Sequence, residues 1–600
     1  MNSIVEVWEQ LSKEYGSRLA LKDESAGYCL SFTELYETIN KTSQIIENLN
    51  LKKNCNILLC LNPHPLWHVI DQAIMTSNCV SVLADPTSGI SEIKHIIETM
   101  QIETLFTDNM KVVSELAEEK TSIHVFYTGT FDTNTYKNNK ISNIHSLQEE
   151  INSVKYESKQ NKEYLPDDLT SIMFSSGTSG KTKGVMFSHQ SLLSTFLGYQ
   201  KVVFPVYKKT CVSVLSCSHA APRLTELALL SNGNTIIYTG YTKYFKTVKK
   251  YKPYYLLCVP KILNAIIGEY KKECLKTSKV FQILNNIAFN ISLKYYEQKF
   301  KYSKSIIIKA ITKMLSICNV ICYTCFIKNI IEKFMNPTTY VIAFGAVAGK
   351  ITENILGAMG LNLLVHYGMT EASVISYSSK EHKKAYSVGK INPDMDVIIS
   401  DVETGKKLGF SQKGIIKVKG KQVMKGYYNN EEETKKAFDS EGYLITGDLG
   451  YISEDGFLYF VGRHKNIIVL NNGENIDSVK IEQICAESKF VQQIVVFGQD
   501  KPYLTAAIVL DNDYVKKWAE NKNIDITDKK VNDLLKKDII IDINNLIGEN
   551  KFFRWIEQIK DIVFIDEPFT IENGLMTRKY TIIRTKVYDK YQNLIDNMYK

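Results

Sequence analysis

The stretch FSSGTSGKTKGV, Phe174–Val185, decides how the rest of the chain is read. It follows the apolar, strand-like run SIMF (171–174), and its glycines and small hydroxyl residues let backbone N–H groups curl around a phosphate without Cβ clashes. Ser175, Ser176, Thr178 and Ser179 add hydroxyl donors, Gly177 and Gly180 keep the backbone open, and Lys181 and Lys183 add positive charge. Gly180-Lys181-Thr182 matches the end of a P-loop, but Ser175 stands where that motif needs its first glycine. A P-loop also starts a helix at its lysine, whereas Gly184-Val185-Met186-Phe187 predicts a strand. The P-loop reading therefore fails, which leaves a phosphate loop between two strands or a plain glycine–serine hairpin.

Six hundred residues are too many for one core, so several packed units are expected. A hydrophobic share of 44% with 23% charged residues is ordinary for a globular chain. The net charge of +8 suits acidic ligands such as nucleotides, or an anionic membrane surface, and shows no nucleic-acid footprint. MNSIVEVWEQ reads neither as an export signal nor as a transit peptide. The twelve cysteines, scattered among apolar residues, read as buried thiols of a reducing compartment.

From Asn54 to Phe106 short apolar strands alternate with helical stretches: CNILLCL, then PLWHVIDQAIMT, then CVSVLADP. This rhythm predicts βαβ units and a parallel sheet. CVSVLSC (211–217), NTIIYTG (234–240) and YYLLCVP (254–260) continue it, and a helical insertion follows at about 262–335. Residues 107–165 are polar and expected to be peripheral. From Val388 to Gly462 short strands with turn signals predict an antiparallel β subdomain, and a compact mixed α/β tail begins at Arg463.

The most hydrophobic region is 303–335. Its longest uncharged run, Met314–Ile327, is shorter than the ~20 residues of a spanning helix. A core helix is expected there, with docking on a membrane surface as the second reading. Cys318, Cys322 and Cys325 share a C-x3-C-x2-C spacing, read as packing rather than cluster ligation.

FSSGTSGKTKGV resembles the signature loop of the adenylate-forming (AMP-binding) enzymes, with Thr182 where the family usually has proline. The resemblance continues in order through FGAVAG (344–349), YGMTEAS (367–373), TGD (446–448), GRHKN (462–466) and NNGENIDSVKIE (471–482), so the motifs run from residue 174 to residue 482. It implies an α/β fold: a large amino-terminal adenylation domain, 1–462, with two α/β sheets and a β subdomain, and a small mobile α+β carboxy-terminal domain, 463–600. It also implies that Tyr367 packs on adenine beside Gly368, Gly345 and Ala346, that Thr370 contacts phosphate and that Glu371 holds Mg²⁺. Asp448 would bind the ribose hydroxyls, Arg463 contact the nucleotide, Lys465 mark the hinge and Gly473 turn toward the acceptor thiol. ATP and Mg²⁺ are the implied cofactors.

CSHAAPRLTE (217–226) is similar to the long-chain fatty acyl branch, in which His219 would line the acyl pocket. The expected activity is ligation of a long-chain fatty acid to coenzyme A. The alternatives are acyl carrier protein as acceptor, or a degenerate homologue that binds without turnover. EPFTIENGLMT (567–577) resembles cyanobacterial long-chain enzymes, and with an enrichment in Lys, Ile, Asn and Tyr of the kind an AT-rich genome gives, this suggests a cytoplasmic or plastid-stromal protein, plastid-encoded, with peripheral membrane contact as a further reading. In long-chain relatives the next segment carries an adenylation lysine, and here Thr581 occupies that column. Lys579, two residues away and so about 6–7 Å off on the same face of an extended segment, is the candidate to take over the role, the alternative being a slow or adenylation-defective enzyme.

Overall fold

The strand Asn56–Cys60 is apolar after its first residue and buried from Ile57 onward, as a central parallel strand covered on both faces must be. It pairs in parallel with Val80–Leu83 on one side and Thr104–Thr107 on the other. The connecting helix, Pro65–Thr76, starts where His64 accepts a hydrogen bond from the Leu66 N–H and proline occupies the first turn. These strands form the middle of an eight-stranded sheet in the order Gly426–Tyr427, Thr182–Ser188, Leu169–Ser176, Val80–Leu83, Asn56–Cys60, Thr104–Thr107, His124–Tyr127 and Ile144–Ser146. The computed structural model describes residues 3–118, 122–129, 143–155, 163–176, 182–202, 207–299, 306–344, 350–522, 524, 529–549, 553–576 and 582–600.

A nine-stranded sheet is parallel through its centre, where Leu19–Asp23, Thr235–Tyr238, Thr210–Ser213, Tyr255–Cys258, Tyr340–Ala343 and Asn362–Met369 lie side by side. It closes with antiparallel strands at both edges. A four-stranded sheet follows, of Met395–Ser400, Gly414–Gly420, Leu444–Ile452 and Leu458–Arg463 in that order. Toward the carboxy terminus Leu504–Leu510 pairs antiparallel with Val491–Phe497 and parallel with Ile559–Phe564. One face of this small sheet packs a core with Ile539, Ile543 and Ile547 of helix Lys529–Glu549; the other packs Val587 and Ile595 of helix Arg584–Asn597. The chain divides into two compact units, one of Met1–Ser175, Lys183–Thr446 and Tyr451–Phe460, the other of Ser176–Thr182, Gly447–Gly450 and Val461–Lys600. Two α/β sheets, a β subdomain and a smaller α+β unit are the architecture expected from the sequence.

One expectation is sharpened and one is corrected. The polar stretch 107–165 is peripheral, as expected, and its strands His124–Tyr127 and Ile144–Ser146 end the parallel sheet on one side. The apolar helix of the insertion is not a core helix. Ile306–Cys322 continues through a π-helical turn, Tyr323–Ile327, into Lys328–Ile331. Residues Ile308–Ile331 are long and apolar enough to cross a membrane by length and composition, yet most of them lie on the surface. The three spaced cysteines are free thiols: Cys322 is buried, Cys318 half-buried and Cys325 exposed.

A fully buried ionic layer ties helix Pro65–Thr76 to helix Ala220–Ser231. Arg223 donates from Nε to Asp71 Oδ2 at 3.0 Å, from Nη2 to Asp71 Oδ1 at 2.8 Å and from Nη1 to Ser171 Oγ at 2.9 Å. Ser81 Oγ donates to Asp71 Oδ1 at 2.7 Å. One helical turn on, Glu226 Oε2 accepts from the Tyr238 hydroxyl at 2.7 Å and the Cys217 thiol at 3.2 Å, and lies 2.9 Å from His68 Nε2. Burial pushes the Cys217 thiol well up, so it remains a protonated donor. Removing one partner strands a buried charge. Arg223→Met alone should therefore destabilise the large unit by about 3–5 kcal/mol, while Asp71→Leu with Arg223→Met recovers most of it. Urea unfolding of the two variants checks the difference.

Candidate active site

The YGMTEAS motif is the tip of a β-hairpin between Asn362–Met369 and Ser373–Tyr377, with Thr370–Ala372 as a 3₁₀ turn. A bulge between Tyr367 and Gly368 tightens it. Gly368 is required there: a Cβ at this position would lie 1.9 Å from the Ser373 carbonyl oxygen. Ser373 itself takes φ 53°, a left-handed conformation that turns the chain directly behind Glu371.

Glu371 is buried at this tip. Its Oε1 accepts from the Tyr427 hydroxyl at 3.1 Å, and its carbonyl oxygen accepts from the Met424 N–H at 2.8 Å. Burial, with the Glu371 charge second, pushes the Tyr427 phenol well above its usual range and keeps it a donor. The Lys183 ammonium sits over the Tyr427 ring, 4.9 Å from its centroid, and pairs with Glu433. The strand Gly426–Tyr427 brings this group together by pairing with Val185 and Met186, directly behind the glycine–serine stretch. Lys183, Thr370 and Glu371 were legible in the sequence. Tyr427 and Glu433 were not singled out, and the available signal was GYYNNEEE, an aromatic pair before the helix capped by Asn430.

Tyr367 is buried against Phe460, with ring centroids 5.7 Å apart. Ser175 is buried near the end of its strand. The side chain of Ser176, and the whole of Gly177, Thr178, Ser179, Gly180, Lys181, Gly345 and Ala346, lie outside the described residues. The strand Thr182–Ser188 begins where a P-loop would need a helix, which removes that rival on structural grounds.

In the second unit the buried Asp448 pairs through Oδ1 with Arg463 Nε at 2.9 Å, and Arg463 keeps half of its side chain exposed. Lys465 is exposed on the turn His464–Asn466. Gly473 takes φ 81° in the connection between Ile467–Val469 and Asn475–Asp477, and its N–H donates to the Leu470 carbonyl at 2.8 Å. Near the carboxy terminus Gly574 takes φ 73°, Asn573 Oδ1 accepts from the Thr570 N–H at 3.0 Å, and a β-bridge joins Met576 to Ile582. Lys579 and Thr581 lie outside the described residues.

His219 precedes helix Ala220–Ser231, is partly exposed, and places Nε2 3.2 Å from Asp85 Oδ2. Burial alone would raise the Asp85 carboxyl, but hydrogen bonds from His219 and Thr87 bring it down to about 2. Arg223 and Glu226, which share the motif with His219, belong instead to the buried ionic layer.

An AMP-binding enzyme model matches residues 8–428, and a model of the AMP-binding enzyme carboxy-terminal domain matches 465–600. The chain belongs to the AMP-binding enzyme family. It is 30% identical to a protein described as probable acyl-activating enzyme 16, chloroplastic, of Arabidopsis thaliana, across 100% of this chain and 89% of that one. It is 27% identical to a chloroplastic long-chain-fatty-acid–[acyl-carrier-protein] ligase of the same plant, across 100% and 86%. Rat long-chain-fatty-acid–CoA ligase 5 is 27% identical across 89% and 79%. Among solved structures, the adenylation domain of a Mycobacterium chelonae carboxylate reductase shares the fold at TM-score 0.72 and 19% identity, covering 100% of this chain and 91% of that one.

His366, next to Tyr367, is buried and stacked edge-on against Phe344, and burial lowers its pKa to about 3. An unfolded histidine titrates near about 6.5. Below that value the unfolded chain takes up a proton that the folded one refuses. Stability therefore falls as the pH drops from about 6.5 toward 3, by at most about 1.4 kcal/mol per pH unit. His366→Phe should flatten this slope, measured as the difference between unfolding midpoints at neutral and mildly acidic pH.

Proposed function

We propose that the protein is an ATP-dependent, AMP-forming ligase that activates a long-chain fatty acid and transfers the acyl group to a thiol. Coenzyme A is the acceptor in the first reading. Acyl carrier protein is the second, favoured by the chloroplastic carrier-protein ligase that matches over the whole chain. The chloroplastic relatives also support a plastid setting. The observation that carries the reading is the buried carboxylate Glu371, held by Tyr427 at the tip of YGMTEAS in a chain whose relatives across 86–89% of their own length are acyl-activating enzymes.

A carboxylate resists attack because its leaving group would be oxide. Joining it to the α-phosphate of ATP expels pyrophosphate and leaves AMP as a competent leaving group for an incoming thiolate. Negative charge builds around the α-phosphate in the first step, so fixed cations and donors supply most of the acceleration. In this reading residues 175–183 hold the triphosphate, Thr370 donates to phosphate, and Tyr367, with Gly345, Ala346 and Gly368, flanks the adenine. Asp448 accepts from the ribose diol, and its pairing with Arg463 holds the carboxylate in place. The carboxylate of Glu371 is a hard oxygen donor of the type Mg²⁺ takes, with one oxygen steadied by the Tyr427 hydroxyl. Bound there, the ion would neutralise phosphate charge. We place the domain joint at Gly462–Lys465, with Lys465 as hinge, Gly473 on the loop facing the thiol, and His219 at the acyl pocket.

Fatty-acid-dependent AMP release with thioester formation, assayed with coenzyme A and with carrier protein, tests the reading. Its absence with both acceptors would sink it. Glu371→Gln and Asp448→Asn should each slow ATP–pyrophosphate exchange by about 10²- to 10³-fold. Lys579→Ala should do the same, and Thr581→Lys should restore the exchange rate of that variant. An unchanged rate in Lys579→Ala removes that lysine from the adenylation step.

A further inference from the structure

The outer surface of the helical insertion combines two properties that rarely coincide on a solvated face. Helix Lys279–Lys299 exposes Val280, Ile283 and Ile287, and the helix that starts at Ile306 exposes Ile311, Ile317 and Ile321. Spacings of three and four set Val280, Ile283 and Ile287 along one side of their helix, and Met314, also exposed, joins Ile317 and Ile321 in the same way on the other, with Ile311 one turn before Met314 at the edge of that stripe. Ten of the twenty-one large apolar side chains exposed among the described residues come from this pair of helices. A contiguous apolar patch of this kind marks an interaction surface.

The second property is charge. Residues 276–331 contain nine lysines and a single acidic residue, Glu297. This segment alone therefore carries the chain's whole formal +8, and the remaining 544 residues balance. Lys309 and Lys313 are exposed on the same helix as Ile311 and Ile317.

The pair lies along the body of the large unit. Asn285 accepts from the Tyr270 hydroxyl at 3.1 Å, and Asn285, Ala288 and Ser292 are buried. The Tyr296 ring covers Gly357 so closely that a Cβ there would lie 2.5 Å from it, and Tyr323 covers Gly360 in the same way. Phe281 and Phe326 join the two helices, with centroids 5.8 Å apart, and Ile327, Ile330 and Ile331 are buried. A helix held flat in this manner presents one face outward and does not stand across a bilayer.

We infer that this face docks on an anionic lipid bilayer, with the isoleucines seated among the acyl chains and the lysines at the headgroups. Lipid fits both properties at once: exposed aliphatic side chains ask for a hydrocarbon phase, and exposed lysines such as Lys309 and Lys313 for negative headgroups. An acidic carrier protein would satisfy only the lysines. Docking itself is independent of the proposed ligase activity.

Flotation of the full-length protein with vesicles provides the test, and because it reads binding alone, failure of docking and failure of the ligase reading are separable. The protein should float with vesicles of equal parts phosphatidylglycerol and phosphatidylcholine, and far less with phosphatidylcholine alone. Ile311→Asn with Ile317→Asn should abolish flotation, and Lys309→Gln with Lys313→Gln should weaken it by about tenfold or more. Both pairs are exposed, and unchanged thermal unfolding confirms that the variants fold. No flotation with either vesicle overturns the inference. So does flotation that survives the isoleucine changes, resistance to alkaline carbonate extraction, or a chain whose isoleucine variant loses dimerisation or carrier-protein binding without any lipid binding to lose.

Discussion

The bidentate pair between Asp71 and Arg223 is the constraint on which the large unit depends. Two full charges stand in the interior with no solvent exposure, so they are tolerable only while paired and fully hydrogen-bonded. Asp71 sits on the helix that follows the strand Asn56–Cys60, and Ser81 and Ser171, which complete the pair's hydrogen bonds, sit on two strands of the eight-stranded sheet. Arg223 brings with it the helix Ala220–Ser231, whose Glu226 reaches Tyr238 in the nine-stranded sheet. One network therefore fixes the relation of both sheets. Shifting either helix by a residue would break several charge-assisted bonds together, whereas an apolar contact would only repack. His219 stands at the amino-terminal end of the same helix, so the ionic layer also sets where that side chain emerges beside Asp85.

Much of this was legible in the sequence because parallel strands and their helices leave strong local signatures. CNILLCL, PLWHVIDQAIMT and CVSVLADP fell within three residues of the observed elements at either end, since an apolar run bounded by turn residues has few other ways to be buried. The motifs were legible for a related reason. Gly368 is enforced by a backbone oxygen that leaves no room for a Cβ, and such constraints keep a short pattern readable. The Asp71–Arg223 pair was not legible: its members are separated by 152 residues, and nothing local distinguishes a buried aspartate from a solvated one. Tyr427 escaped for the same reason, since its role arises from strand pairing with Val185 and Met186 across more than two hundred residues.

The apolar helix of the insertion failed differently. Hydrophobicity says that a segment avoids water, and burial in a protein core is only one way to do so. The outward face of Ile308–Ile331 is as apolar as a core helix, but none of the described residues of its own unit covers it. Charge was the discriminating signal. Whole-chain net charge diluted it to a slight excess, whereas the insertion taken alone is one of the most lopsided parts of the sequence.

A bilayer contact and a long-chain substrate are linked by the same transfer free energy. Each buried methylene is worth about 0.8 kcal/mol whether it lies in a protein tunnel or among lipid chains. Passage of a long chain from membrane to tunnel is then nearly balanced methylene for methylene, but passage through water is not. For a chain of about fifteen methylenes the aqueous route exposes roughly 12 kcal/mol of hydrophobic surface at its midpoint. Affinity alone cannot remove that cost, since a tighter tunnel leaves the water-exposed state unchanged. Contact between the protein and the bilayer does, by letting the chain leave one apolar phase as it enters the next. For an enzyme acting on such chains, the insertion's exposed isoleucines and lysines would govern the rate of substrate capture, and the buried carboxylates would govern the chemistry that follows.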